Sequence, residues 1–161
     1  MLKTVFLDLD DTILDFTQAE AAALRRALTE AEVPADNGVL ARYHAINAAQ
    51  WELLEEGVLT REQVLLGRFD ILFGELGLVR SAGEICERYE EYLGEGHWFI
   101  SGAEALLETL GPRYDLYLAS NGTAGVQHRR LESAGIGRYF RGIFISQELG
   151  ADKPSPVFFE R

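Results

Sequence analysis

Cysteine is almost missing from this chain. Cys86 stands alone, which excludes an internal disulfide, and nothing around it has zinc-site spacing. Its expected place is that of a small apolar residue on a helix. Basic charge is scarce too. Lys and Arg number 15 against 26 Asp and Glu, a formal net charge of -11, so duplex nucleic acid or an anionic membrane surface would find no basic face to meet. No apolar run approaches the roughly 20 residues that cross a bilayer, and no basic stretch followed by an apolar run and a small-residue cleavage site opens the chain. Internal repeats, low-complexity tracts and flexible linkers are missing as well. These absences leave a soluble, cytoplasmic protein as the expectation. A small anionic metabolite stays open as a ligand, because local donors or a metal reverse the field inside a cleft.

What is there suits one good core: 161 residues, 47% of them hydrophobic. Residues 3–9 are short and nearly all apolar, as expected of a strand buried on both faces of a parallel sheet. Helical patterns follow over 19–31, 39–56, 60–76 and 81–93, with Thr17 as the expected cap of the first, Thr60 and Gln63 resembling a capping box, and Ser81 as the cap of the fourth. After Gly96 the pattern alternates: helix 102–110, strand 114–119, helix 124–134, strand 142–145. Strands separated by helices indicate right-handed crossovers and a parallel sheet. The expected organisation is a sheet domain of residues 1–16 and 96–161, interrupted after its first strand by an all-helical insert of residues 17–95.

Ligands of such open sheets sit at the carboxyl ends of the strands. The first strand runs into Asp8-Leu9-Asp10-Asp11-Thr12, the second into Ser120-Asn121-Gly122-Thr123, and the third leads within a few residues to Lys153-Pro154. Strand alternation lets Asp8 and Asp10 share a direction, and two neighbouring carboxylates recruit a cation or perturb each other's titration. Mg²⁺ is the natural cation for carboxylate and carbonyl oxygens beside a phosphate. Ser120, Asn121 and the backbone at Gly122 offer neutral donors, and Lys153 adds a positive charge in a chain with only one other lysine, Lys3. Together these groups suit phosphoryl transfer, with one aspartate as nucleophile and another as acid and then base. Spacing alone leaves open which aspartate attacks.

On these motifs the sequence resembles the haloacid dehalogenase superfamily. Asp8-Leu9-Asp10-Asp11-Thr12 matches its Asp-x-Asp-x-Thr motif, Ser120 in LASNG its second, and Lys153-Pro154 its third. The resemblance implies a Rossmann-like α/β core with a helical cap inserted after the first strand. It also implies Asp8 as nucleophile, Asp10 as general acid and base, Ser120 as phosphate ligand and Lys153 as the charge that steadies both, with Mg²⁺ on the Asp8 carboxylate and the Asp10 carbonyl. Thr12, Asn121 and Gly122 are expected near the phosphate. An acid at position 10 implies a phosphate ester rather than a halide as substrate. The stretches ILDF, INAAQWELLEEGVLTREQ and EGHWFISGAEALL are similar to a pyrimidine 5'-nucleotidase branch, which implies a nucleotide as the small phosphorylated partner. Asn47, Trp51 and Arg68 are the expected cap contacts to the leaving group, while Phe69 and Phe73 are expected in the core and His44, His97 and His128 receive no role.

The family's fourth motif, an acidic pair that completes its Mg²⁺ site, is not found in these residues, and Arg161 falls inside what reads as a helix begun near Pro156. The expectation is an incomplete sequence whose first strand has an unpaired edge, which invites aggregation or pairing with another chain, a homo-oligomer among the outcomes. Two alternatives accompany the nucleotidase reading: another small phosphate ester such as a sugar phosphate as substrate, and a shortened chain that binds without turnover.

Overall fold

The computed structural model describes residues 2–160. Three parallel strands, β1 (Thr4–Leu7), β2 (Asp115–Ser120) and β3 (Phe140–Ile145), form a sheet in the order β1-β2-β3. The helices are α1 (Phe16–Glu30), α2 (Asn37–Glu55), α3 (Arg61–Leu76), α4 (Ala82–Leu93), α5 (Ala103–Leu110), α6 (Ala124–Ala134), α7 (Ser146–Leu149) and α8 (Pro156–Phe159). Five helices thus follow the first strand before the second begins, and α1 to α4 make the all-helical insert expected in the α/β core. No helix among the described residues is long and apolar enough to cross a membrane.

Contacts divide the chain into two compact units, Met1–Ala19 with Gly94–Arg161, and Glu20–Leu93. The first is built on a core of Leu9, Leu14, Leu107, Leu116, Leu118 and Leu131, in which α5 and α6 cover the inward residues of β2. The register pairs Leu7 with Leu118 and Ser120 with Ile145, so β2 and β3 end side by side and β1 stops two residues short of them at the same sheet edge. The chain entering the insert and the chain leaving it are joined by a short antiparallel contact. Leu14 bridges Phe99, the Asp15 amide donates to the Trp98 carbonyl at 2.8 Å, and the Ile100 amide to the Ile13 carbonyl at 2.9 Å.

The second unit has its own core. Tyr43, Phe69 and Tyr89 are all fully buried, with ring centroids 5.1 to 5.7 Å apart, and Phe73 packs against Phe69. Phe69 and Phe73 are therefore core residues. Helix α3 starts with the expected capping box, Thr60 accepting from the Gln63 amide while the Gln63 side chain accepts from the Thr60 amide.

Three local expectations need correction. β1 is shorter than residues 3–9 and is not buried on both faces. Phe6 is 55% exposed and begins an aromatic row with Tyr117 and Phe144 on one face of the sheet. Helix α1 begins at Phe16 rather than after Thr17. Asp15 accepts from the Gln18 amide and acts as its cap, while Asp11 accepts from the Phe16 amide. The strand also ends before Asp8, so strand alternation does not set the relation of Asp8 to Asp10. A turn does: the Leu9 carbonyl accepts from the amides of Ile13 at 2.9 Å and Leu14 at 3.0 Å, and Asp11 takes a left-handed backbone with φ of 54°.

Candidate active site

Asp8 stands at the first step beyond β1, its side chain 44% exposed. Its Oδ1 accepts from the Leu9 amide at 2.8 Å and lies 3.1 Å from Lys153 Nζ. The lysine is held from below. Its Nζ donates to the Ala119 carbonyl at 2.8 Å, its amide donates to Asn121 Oδ1 at 2.7 Å, and Asn121 Nδ2 donates back to the Lys153 carbonyl at 2.9 Å. Asn121 thus clasps the backbone that carries the lysine. The ends of β1 and β2 and the loop after α7 therefore meet at one place, with the Asp8 carboxylate and the Lys153 ammonium facing each other.

Ser120 ends β2 and is buried. Its Oγ accepts from the Gly122 amide at 3.2 Å and from Gln127 Nε2 at 2.8 Å, which leaves the hydroxyl proton to donate elsewhere. Asp10 is engaged at both oxygens. Oδ1 accepts from Arg130 Nη1 and Oδ2 from Gln127 Nε2 at 2.8 Å. Thr12 lies exposed in the turn, its amide on the Leu9 carbonyl at 3.4 Å. So Asp8, Asp10, Ser120, Asn121, Gly122 and Lys153 come together, with Thr12 at the margin.

Gln127 and Arg130 are the residues that motif reading misses. A signal was present. Positions 127, 130, 131 and 134 share one helix face, and a glutamine and an arginine interrupt the apolar stripe made by Leu131 and Ala134.

Asn47, Trp51 and Arg68 lie in the helical unit, where they form a network of their own. Asn47 and Arg68 are each 2% exposed. Asn47 Oδ1 accepts from Trp51 Nε1 and from Arg68 Nη1, each at 3.1 Å, and Asn47 Nδ2 donates to Glu20 Oε1 at 2.7 Å. Glu20 Oε2 lies 2.5 Å from His44 Nδ1. The amide of Asn47 is thus spent on neighbours within its own unit, and Arg68 also reaches the Leu65 carbonyl and Cys86 Sγ. Burial pushes the Glu20 carboxyl above the usual carboxylate range, against the opposing pull of His44 and Asn47. Burial likewise pushes the Cys86 thiol up, with Arg68 opposing it.

Among the described residues no group of three or more His, Cys, Asp or Glu side chains is arranged to hold a metal. The site offers a smaller donor set, namely the Asp8 carboxylate, whose Oδ2 has no partner among the described residues, and the carbonyl of Asp10. Hard oxygen donors of this kind fit Mg²⁺, which retains several waters and takes its remaining ligands from a phosphate.

The haloacid dehalogenase-like hydrolase family model matches residues 2–161. The chain belongs to that family. Among its members, the HAD-hydrolase YfnB of Bacillus subtilis is 38% identical over 157 residues, 98% of this chain and 67% of that protein. The pyrimidine 5'-nucleotidase PynA of Streptococcus pneumoniae is 36% identical over 160 residues, 99% of this chain and 68% of that protein. A crystal structure of YfnB bound to magnesium superposes with a TM-score of 0.95, covering 99% of this chain and 71% of that one. The chain thus spans about two thirds of the length of the curated haloacid dehalogenase-like relatives it matches.

Proposed function

We propose that this haloacid dehalogenase-like chain carries the chemical centre of a phosphate monoester hydrolase, with pyrimidine nucleoside monophosphates as substrates. The observation that carries the reading is the Asp8–Lys153 pair at the strand ends, 3.1 Å apart, with Asp10 two residues on and Ser120 beside it. The Leu9 amide and Lys153 orient Asp8 through Oδ1 and offset its charge as an anionic phosphate approaches. Asp8 attacks phosphorus, the bond from phosphorus to the leaving oxygen breaks, and Asp10 gives that oxygen a proton. Water then attacks the aspartyl-phosphate, its proton passes to Asp10, and inorganic phosphate leaves with Asp8 regenerated.

Ser120 donates to a phosphate oxygen, Lys153 neutralises charge on the equatorial oxygens, and Thr12 supplies a hydroxyl at the margin. The Asp8 carboxylate and the Asp10 carbonyl would hold Mg²⁺, which when bound would supply electrostatic stabilisation of the transferring phosphoryl group. Substrate class rests on the nucleotidase activity named for PynA.

One observation favours keeping a second substrate class. The polar groups of Asn47 and Arg68 are bonded within the helical unit, so recognition of a base has fewer donors there than the motifs suggest. A panel of nucleoside monophosphates and sugar phosphates, assayed for phosphate release with Mg²⁺, separates the two. Asp8→Asn is expected to reduce release on every active substrate to background while keeping the melting temperature. Turnover that survives Asp8→Asn would defeat the mechanism.

A further inference from the structure

Arg130 is a charged side chain with no exposed surface. A guanidinium in that position costs several kcal/mol in desolvation unless it is paired, and it is paired with Asp10. Its Nε also donates to the Gly96 carbonyl at 3.1 Å and its Nη1 to Gln127 Oε1 at 3.2 Å, while Nη2 has no partner among the described residues. Gln127, 2% exposed, donates from one Nε2 to both Asp10 Oδ2 and Ser120 Oγ. Two residues one helical turn apart on α6 therefore grip both oxygens of one catalytic candidate and the hydroxyl of another.

The neighbouring loop is shaped for this grip. A Cβ at Gly122 would stand 2.4 Å from Gln127 Nε2 and 2.5 Å from its Cδ, so any larger residue there displaces the glutamine from Asp10 and Ser120. Asp10 stands at the start of a turn, bridged to Leu14, and its carboxyl would otherwise choose among several staggered rotamers. Donors on both oxygens from a rigid helix do limit them, and a proton can be delivered only along the direction the carboxyl faces.

Resting on the phosphatase reading above, we propose that Arg130 and Gln127 are positioning residues that aim the Asp10 carboxyl at the departing oxygen of the substrate. A purely structural ion pair would serve the fold alone and treat all substrates alike. An aimed acid matters in proportion to how badly the leaving oxygen needs a proton.

The test compares kcat/KM, which covers the steps up to loss of the leaving group, for an alkyl phosphate and for an activated aryl phosphate whose phenolate leaves without help. For Arg130→Met the alkyl ester should lose about 10²-fold and the aryl ester less than about 10-fold. Arg130→Lys should recover part of the alkyl rate, since an ammonium still reaches one oxygen. Gln127→Met should lower the alkyl-to-aryl ratio in the same direction, and it carries the test should Arg130→Met not fold. Equal losses on both esters, or no loss, would overturn the proposal.

A wild-type chain that releases phosphate from neither ester counts against the phosphatase reading. The grip itself is then read by a double-mutant cycle on urea unfolding with Asp10→Ala and Arg130→Met. Strong non-additivity supports the coupling, and additive effects overturn it.

Discussion

At the scale of single residues, Asp8 and Asp10 look alike in sequence and differ in what their removal does. Asp8 belongs to a half-exposed pair with Lys153, and such pairs contribute about 0 to 1 kcal/mol. Asp10 neutralises a guanidinium that has no exposed surface. Asp10→Ala strands that charge, so it should destabilise the chain by about 3 kcal/mol, the low end for breaking a buried pair because Asp10 itself is 30% exposed. Asp8→Ala should be close to neutral. Urea unfolding of the two variants checks the contrast, and equal losses would show that Arg130 does not depend on Asp10. Asp8, Asp10 and Ser120 were legible in sequence because each sits where a strand pattern stops and polar residues begin, and Lys153 because lysine is nearly missing from the chain. Gln127 and Arg130 were not, since polar residues in a helix read as its solvated face until the packing direction is known.

At the scale of elements, the helical insert is tied by a polar chain that joins three helices: buried Glu20 on α1, Asn47 on α2 and Arg68 on α3, with the half-exposed His44 of α2 at its end. Its acid titrates with a cost. Burial raises the folded-state titration of Glu20 above its ordinary 4.5, so the stability it contributes is fully present below about pH 4.5 and is lost as pH rises through the folded value. Glu20→Gln removes that loss. The melting temperature of the wild type relative to Glu20→Gln should therefore be highest near pH 4, fall as pH rises above that, and level off once the folded value is passed. A difference that does not change with pH would mean the carboxyl pays no desolvation. Helix positions and the Thr60 cap were legible because they rest on local rules. The burial of β1 was not, since three apolar residues in a row say nothing about whether both faces of a sheet are covered. The cap at Asp15 was hidden for a related reason: Asp11 and Asp15 both serve the same helix start, and the turn that lets them do so has a left-handed aspartate no local pattern announces.

At the scale of the whole molecule, the division into two units gives each its own core, and the single cysteine reports on one of them. Cys86 is 6% exposed, and burial disfavours its thiolate, the reactive form. A disulfide reagent should therefore modify the native chain at least about 10²-fold more slowly than the unfolded one, with the rate set by opening of Glu20–Leu93. Rapid stoichiometric modification in native buffer would contradict the packing of α4. The other unit carries the aromatic row of Phe6, Tyr117 and Phe144, which leaves it an apolar sheet face that a hydrophobic dye can probe separately.

The small antiparallel contact between Leu14 and Phe99 has a consequence for folding speed. Thr4 must find Asp115 with the entire helical insert lying between them in the chain, a non-local pairing of the kind that slows assembly. Once Leu14 and Phe99 are joined, the insert is closed off as a side loop. The search that brings β1 to β2 then spans only the short segments on either side of that knot. Loop entropy grows slowly with length, each doubling costing about 0.6 kcal/mol, so inserts of quite different size load the same short search. The sheet can thus keep its pace of assembly while the helices hung from it change in number, length and specificity.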